Sequence, residues 1–465
     1  MKQFPKLPVF KFLYFALPAL VFLSWKNKPA NSSSPSPALE IPVTYYKLNN
    51  GLKVVLSPDK TTPVIVVGVY YKIGFRIEPK NRTGFAHLFE HMMFQGSQNL
   101  GKMEFIKLVQ SNGGILNGST RFDFTNYFEA MPSHKLETAL WAEADRMKGL
   151  DITEANLINQ KGVVKNEVNV NVINQPYGGF PWLDMPQYAN ENWYNAHNFY
   201  GDMKDLDSAK LEDVTTFFKT YYAPNNAVLV VSGDFEISDA KNWIEKYFGG
   251  IPSATIPPTP DISEPKQEKQ KRFVKEDKLA NKPAIAIAYK MPAINTPEYY
   301  AMGLIDQMLV QGTDSKLYQQ LVQEKGYTSS VNGGINYLGN MFNYNGPMLW
   351  MANLVYDSTI TADSVIAQFD KAAGELQNGV SNDELQLAKI KMRSSLYDII
   401  GGDFGIGKVD LLACFALFDN DPGRINSLES SFQKVTPELI RKTAREYLQP
   451  SNRTILVIDP KSVNK

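Results

Sequence analysis

The sequence predicts an α+β protein built from two homologous domains, and three observations lead there. Short β-branched runs bounded by turn residues alternate with stretches of helical periodicity from about residue 44 onward. A segment rich in Pro, Ser, Glu and Lys, from about Pro252 to Lys271, interrupts the pattern near mid-chain. The same helix–turn–strand segment occurs twice, half a chain length apart, once over Tyr221–Val231 and again over Tyr447–Val457. Each copy runs from a helix-terminal Tyr through Pro and Asn into an apolar strand. Duplication of a domain explains the spacing; a shared helix–turn–strand motif without duplication is the alternative. The 465 residues exceed one ordinary domain in either case.

The first forty residues differ in kind. Lys2, Lys6 and Lys11 precede an apolar run from Phe12 to Trp25 that is broken only by Pro18. The run falls short of the roughly 20 residues of a membrane span, and a basic segment before a short apolar one is the pattern of an export signal. No small-x-small cleavage site follows, and Lys26 and Lys28 flank the run, which also fits an uncleaved anchor. Residues 1–25 are read as a signal peptide or N-terminal anchor and residues 26–43 as a Ser/Pro-rich tether. The expected location is extracytoplasmic, either periplasmic or attached to the membrane through the N-terminus.

Taken in order, Thr44–Leu48 and Leu52–Leu56 flank Asn49-Asn50-Gly51 and form a hairpin. Pro63–Tyr71 is β-branched enough for a central strand. A helix over about Lys102–Asn112 ends at Gly113-Gly114, and the alternation from Ile115 to Phe128 reads as strands. Helical patterns cover about Ser133–Arg146 and Thr153–Val170, and Ala227–Asp234 is a buried strand. The first domain thus spans residues 44–251, the linker 252–272, and the second domain 273–465 with a strand at Lys282–Tyr289.

Composition excludes some functions. Forty-eight basic residues balance 48 acidic ones, and no basic run or aromatic-interleaved basic patch is present, so nucleic acid is not an expected partner. Cys414 is the only cysteine, so neither an intrachain disulfide nor a thiolate metal cluster can form. Within Ala413-Cys414-Phe415-Ala416-Leu417 it reads as a small core residue.

Between the central strand and the first Gly-Gly stop lies Gly84-Phe85-Ala86-His87-Leu88-Phe89-Glu90-His91-Met92-Met93-Phe94. On a helix, His87 and His91 stack on one face, and two neutral imidazoles so placed can hold a zinc ion. Glu90 falls on nearly the same face, within reach of a metal-bound water. The order His-x-x-Glu-His is the inverted form of a zinc-peptidase signature. Two unrelated histidines on a core helix are the alternative, but the chain has only four histidines and two of them fall here. All four (His87, His91, His134, His197) precede residue 200, so any such site belongs to the first domain. A hydrolytic zinc needs a third protein ligand and one open position.

At these residues the chain resembles the insulinase/pitrilysin family of zinc peptidases, in its two-domain, processing-peptidase-like branch. That family's third ligand is a glutamate in a Val-Val-x-x-Glu helix; Val163-Val164-Lys165-Asn166-Glu167 matches it, with Glu167 at the family's usual distance beyond His91. Gly113-Gly114-Ile115-Leu116-Asn117-Gly118-Ser119-Thr120 matches the family's Gly-Gly-x-x-Asn-Ala-x-Thr, with Gly118 in place of Ala. Further likeness runs from Asp205 to Asp234 and from Gly312 to Gly326, and overall from about Tyr45 to Pro460.

The resemblance implies two mostly antiparallel sheets covered by helices and forming half of a clamshell. It implies one zinc per chain on His87, His91 and Glu167, with Glu90 as the general base. It also implies an edge strand after Gly114 that pairs with an extended peptide substrate, Asn117 lying beside that substrate; a plain turn role is the alternative for Asn117.

Two positions depart from the pattern. Gln160 stands where many members have a second glutamate, next to the metal ligands. Val322 and Ser329 stand where active single-chain members have an arginine and a tyrosine that hold substrate, and Tyr318 and Tyr327 are out of register. The expected function is therefore a zinc metalloendopeptidase of peptides or small unfolded proteins, acting as the catalytic subunit of a pair whose homologous partner supplies the Arg/Tyr clamp. The alternative is a non-catalytic peptide-binding or scaffold homologue.

Overall fold

The computed structural model describes residues 40–460, so the expected signal or anchor and nearly all of the tether lie outside the described residues. From Ile41 the chain forms one compact unit containing two β-sheets. The first sheet comprises β1 (Thr44–Lys47), β2 (Lys53–Pro58), β3 (Val64–Tyr71), β4 (Ile115–Thr120), β5 (Thr125–Pro132) and β6 (Ala227–Gly233). The second comprises β7 (Lys271–Asp277), β8 (Ala284–Lys290), β9 (Asn332–Ile335), β10 (Leu349–Val355) and β11 (Arg453–Pro460).

The strand order is β1-β2-β6-β3-β5-β4 in the first sheet and β7-β11-β8-β10-β9 in the second. With β1 set aside, the two orders are the same with each strand number raised by five. Each sheet has one parallel pair at the same place, β2 with β6 and β7 with β11, and is otherwise antiparallel. The α+β reading and the repeat seen at Tyr221 and Tyr447 are thus both present in the topology.

Helix boundaries shift slightly from those read in the sequence. The helices of the first half include α1 (Phe85–Met92), α2 (Glu104–Ser111), α3 (Leu136–Lys148), α4 (Glu154–Val168) and α5 (Asp184–Ala189). A 3₁₀ turn, Ser133–Lys135, takes up the start of the pattern expected at Ser133. Thr153 caps α4 by accepting the Asn156 N–H, and a π-helix, Asn169–Ile173, continues it. Residues 252–270 carry neither helix nor strand, yet they are fastened in place. The Glu264 carboxylate accepts hydrogen bonds from Asn195 Nδ2 and from the Glu191 and Asn192 N–H groups, and it pairs with Lys290.

Strand β3 shows how the first core is made. Ile65, Val67, Val69 and Tyr71 face one side and join Leu88, Phe89, Leu140, Phe217 and Ile244 in a single apolar cluster. On the opposite side, Gly68 leaves the space that Val409 occupies: a Cβ there would sit 2.8 Å from the Val409 Cγ1.

Val409 belongs to helix Ile406–Phe418, which comes from the second half of the chain yet covers the first sheet. Residues Leu411–Leu417 are all buried, and Lys53 Nζ from β2 donates to the Ala416 and Leu417 carbonyls at the end of that helix. The second sheet is covered in return by α5, from the first half. Met185 and Ala189 pack on Ala284, Ala286 and Ala288 of β8, and Lys275 of β7 pairs with Asp184 at 2.7 Å. On the far face of the second sheet, Trp350 Nε1 donates to Asp306 on helix Pro297–Leu309. Among the described residues no helix is long and apolar enough to cross a membrane.

The site rests on α1, which at eight residues is too short to hold itself together. Its N-terminal amides are satisfied by the fully buried carboxylate of Glu78, which accepts from Gly84 N at 2.9 Å and Ala86 N at 2.5 Å. A negative group at this end also interacts favourably with the positive end of the helix dipole. Glu78→Ala leaves both amides buried without a partner, and urea titration should show a loss of about 3 kcal/mol or more.

Asp306 generates a second expectation. Burial lifts its carboxyl to about 6, against the opposing pull of the Trp350 and Gln311 donors and of Lys391. The native chain therefore keeps a proton that the unfolded chain releases near 3.8, and the stability this contributes is lost as pH rises to about 6. Asp306→Asn keeps an acceptor for Trp350 and removes the titration. Its stability relative to wild type should improve by roughly 2–3 kcal/mol between about pH 4 and pH 7.

Candidate metal centre

The first-half helices α1 and α4 pack against each other and bring three expected ligands together. His87 and His91 lie one turn apart on α1, their rings 4.8 Å apart. The two Nε2 atoms are 3.3 Å apart, and Glu167 Oε2 lies 3.3 Å from that of His87 and 3.2 Å from that of His91. The donors form a nearly equilateral triangle. A tetrahedral zinc with bonds of about 2.0–2.1 Å spaces its donors about 3.3–3.4 Å apart, and two imidazoles with one carboxylate are a known catalytic zinc set. The residues fit one such ion. Among the described residues, no other group of His, Cys, Asp or Glu side chains converges this way. His87 is only 5% exposed, whereas His91 and Glu167 are 22% and 27% exposed, so the cluster is sealed on one side and open on the other.

The charges around the triangle suit a cation. Burial pulls the His87 imidazole down, but the Glu167 and Glu90 carboxylates outweigh it and hold the ring up at about 9. Burial raises both carboxyls in turn, and the histidines overcome it: Glu167 is held below the usual range by His87 and His91, and Glu90 by His87, Thr120 and His91.

Glu90 stands beside the triangle. Its Oε2 is 3.3 Å from His87 Nδ1 and accepts the Thr120 hydroxyl at 2.7 Å. Thr120 is the last residue of β4, which has β5 on one side and no strand on the other. Asn117 lies on that strand, roughly 10 Å before Thr120, exposed, with its Oδ1 accepting the Gly118 N–H. It is not part of the donor cluster.

Gln160 is buried on α4, two turns before Glu167, and its amide donates to Asn159. Its side chain makes no hydrogen bond to His87, Glu90, His91 or Glu167. Val322 lies in the π-helix Gln319–Glu324 and Ser329 in the exposed stretch after it. Cys414 is fully buried in helix Ile406–Phe418, and burial pushes its thiol well up.

Three contacts were not visible in the sequence. Tyr200 donates its hydroxyl to Glu167 Oε1 at 3.0 Å, and burial followed by the Glu167 charge raises its phenol, so it remains a donor at neutral pH. The rings of Tyr200 and Phe199 stand 5.1 and 5.0 Å from that of His87, with Trp182 against both. Thr120 closes the quoted Gly-Gly-x-x-Asn segment, the one available signal for it. Nothing in the local sequence marks Tyr200, which is separated from Glu167 by the π-helix, α5, the short helix Trp193–Ala196 and the turns around them.

Comparison with known proteins accords with this geometry. Residues 53–190 match the model described as Insulinase (Peptidase family M16), and residues 208–392 match the one described as Peptidase M16 inactive domain. The second match begins late in the first half and covers much of the second, which lacks the histidine pair. A Helicobacter pylori protein named zinc protease PqqE is 27% identical over 423 residues, covering 89% of this chain and 92% of the relative. The mitochondrial-processing peptidase subunit beta of Rattus norvegicus is 22% identical over 439 residues, covering 93% and 87%. Among solved structures, a protease from Helicobacter pylori superposes with a TM-score of 0.83 at 26% identity, covering 90% of this chain and all of that one. With two adjoining domains of one family matched in order, and a relative and a structure alike over nearly their whole length, this chain belongs to the insulinase (M16) family of peptidases.

Proposed function

We propose that this chain is a zinc-dependent metalloendopeptidase that cleaves peptides or small unfolded proteins, and that it is the catalytic subunit of a pair. The observation that carries the reading is the 3.2–3.3 Å triangle of His87 Nε2, His91 Nε2 and Glu167 Oε2. These three atoms would hold the ion, which when bound supplies Lewis acidity toward a peptide carbonyl and lowers the pKa of water. Glu90 Oε2, steadied by the Thr120 hydroxyl, accepts a proton from the attacking water and returns it to the leaving amine. The free edge of β4 ends at Thr120 and offers backbone groups to an extended peptide, Asn117 lying along that path. Position along the edge then sets the scissile bond with modest demands on side chains.

The pairing rests on what the second half lacks. Val322 and Ser329 supply neither a guanidinium nor a phenol to hold substrate, and a homologous partner closing the clamshell would bring both. One relative is itself named as a subunit of a processing peptidase, which supports this division. The N-terminal pattern of lysines and apolar residues supports export from the cytoplasm.

Metal analysis and cleavage of unstructured peptides test the reading. The wild-type chain should hold one zinc, and His91→Ala should hold none. Glu90→Gln should keep the metal and lose activity by roughly 10²- to 10⁴-fold. Activity should rise strongly when the encoded homologue is added; full activity of the chain alone refutes the pairing. Bound zinc with no cleavage in any combination favours the peptide-binding alternative.

A further inference from the structure

Two helices supply the three donor atoms, and something must fix the distance between them. Glu167 sits on α4, a helix exposed along much of its length, and its carboxylate is 27% exposed. Nothing on α4 itself holds it: Lys165 Nζ pairs with Asp207, and Gln160 turns to Asn159. Tyr200 is the side chain that reaches Glu167 from outside the donor cluster. Its hydroxyl holds Oε1 at 3.0 Å, while Oε2 faces the two imidazoles.

Tyr200 is in turn fixed to the start of α1. Gly84 and Gly201 both adopt left-handed conformations, at φ 81° and 71°, and their backbones touch. A Cβ on Gly84 would overlap the Tyr200 carbonyl, and one on Gly201 would overlap the Gly84 nitrogen. Thr83 locks the contact: its Oγ1 accepts the Asp202 N–H at 2.8 Å and donates to Asp205 Oδ2 at 2.6 Å. The Tyr200 ring lies edge-on to that of His87, at 85°.

We propose that Tyr200 is a positioning residue for the metal centre, bridging the start of α1 to Glu167 on α4 so that one carboxylate oxygen is presented to His87 and His91. The inference rests on the metal reading given above and adds a residue to it. The phenol supports the ligand from behind, as a hydrogen-bond partner of a ligating carboxylate does. Its hydroxyl bonds Glu167 and makes no hydrogen bond to Glu90.

The test compares wild type with Tyr200→Phe, which keeps the ring and removes only the hydroxyl. Zinc affinity, measured by competition with a chromophoric chelator, should fall about 10- to 100-fold. The metal-free melting temperature should stay close to wild type, and the visible spectrum of the cobalt-loaded protein should shift. In a Glu167→Ala background the same substitution should cause no further loss, because its effect passes through Glu167. Equal affinity for zinc in Tyr200→Phe, or a loss that persists without Glu167, overturns the proposal and leaves the metal centre standing. A wild-type chain that takes up no zinc overturns both.

Discussion

The buried carboxylate of Glu78 is the point on which the site depends. An eight-residue helix cannot organise its own first turn, and the two amides that begin α1 are satisfied by a residue that precedes it in sequence. The segment leading to Glu78 is itself held elsewhere: Phe75 N and Arg76 N donate to the Arg121 and Phe122 carbonyls, just past the end of β4. Arg76 then pairs with Asp123 at 2.8 Å and donates to the Pro347 carbonyl, while Asp123 accepts the Asn345 N–H. One continuous path of hydrogen bonds thus joins the histidine helix, the strand that ends at Thr120, and the second half of the chain. The spacing between Glu90 and Thr120 follows from that path, because both ends are anchored to it.

The two sheets share a topology and differ in what fills it. In the first half, His87 stands on the first α-helix after β3; in the second, Asp306 stands on the first α-helix after β8. The second half thus has a polar side chain on the corresponding helix too, but buries it under Trp350 and Gln311, and among the described residues it belongs to no cluster of His, Cys, Asp or Glu that could hold an ion. A candidate metal centre in one half and none in the other, among the described residues, follow from which side chains occupy comparable places, with the backbone plan unchanged.

Much of this was legible in the sequence because it is written at short range. The four-residue step between His87 and His91 is a helical turn, and the β-branched runs at Val64–Tyr71 and Ala227–Gly233 have no other comfortable conformation. Glu167 could be picked out through family likeness, since its own neighbourhood reads as a solvated helix. What remained hidden is written at long range. The parallel pairing of β2 with β6 sets Lys53 beside Val228, and neither strand carries a mark of its partner. Tyr200 and Glu78 are an ordinary aromatic and an ordinary acid until the fold places them. The place of Gln160 beside the ligands is likewise a matter of family likeness; in the structure its amide pairs with its neighbour Asn159.

The exchange of helices between the halves bears on how the protein can be taken apart. Helix Ile406–Phe418 lies on the first sheet and α5 lies on the second, so each half lends the other one wall of its core. A chain ending before residue 252 would leave Gly68, Val66 and Tyr70 facing water across a bare sheet, and one beginning at residue 271 would uncover the alanine face of β8. Severing the segment between the halves would not part them, since each still grips the other's sheet. The two halves look like separable modules along the sequence, but in space they form an interlocked pair that a single cut cannot undo.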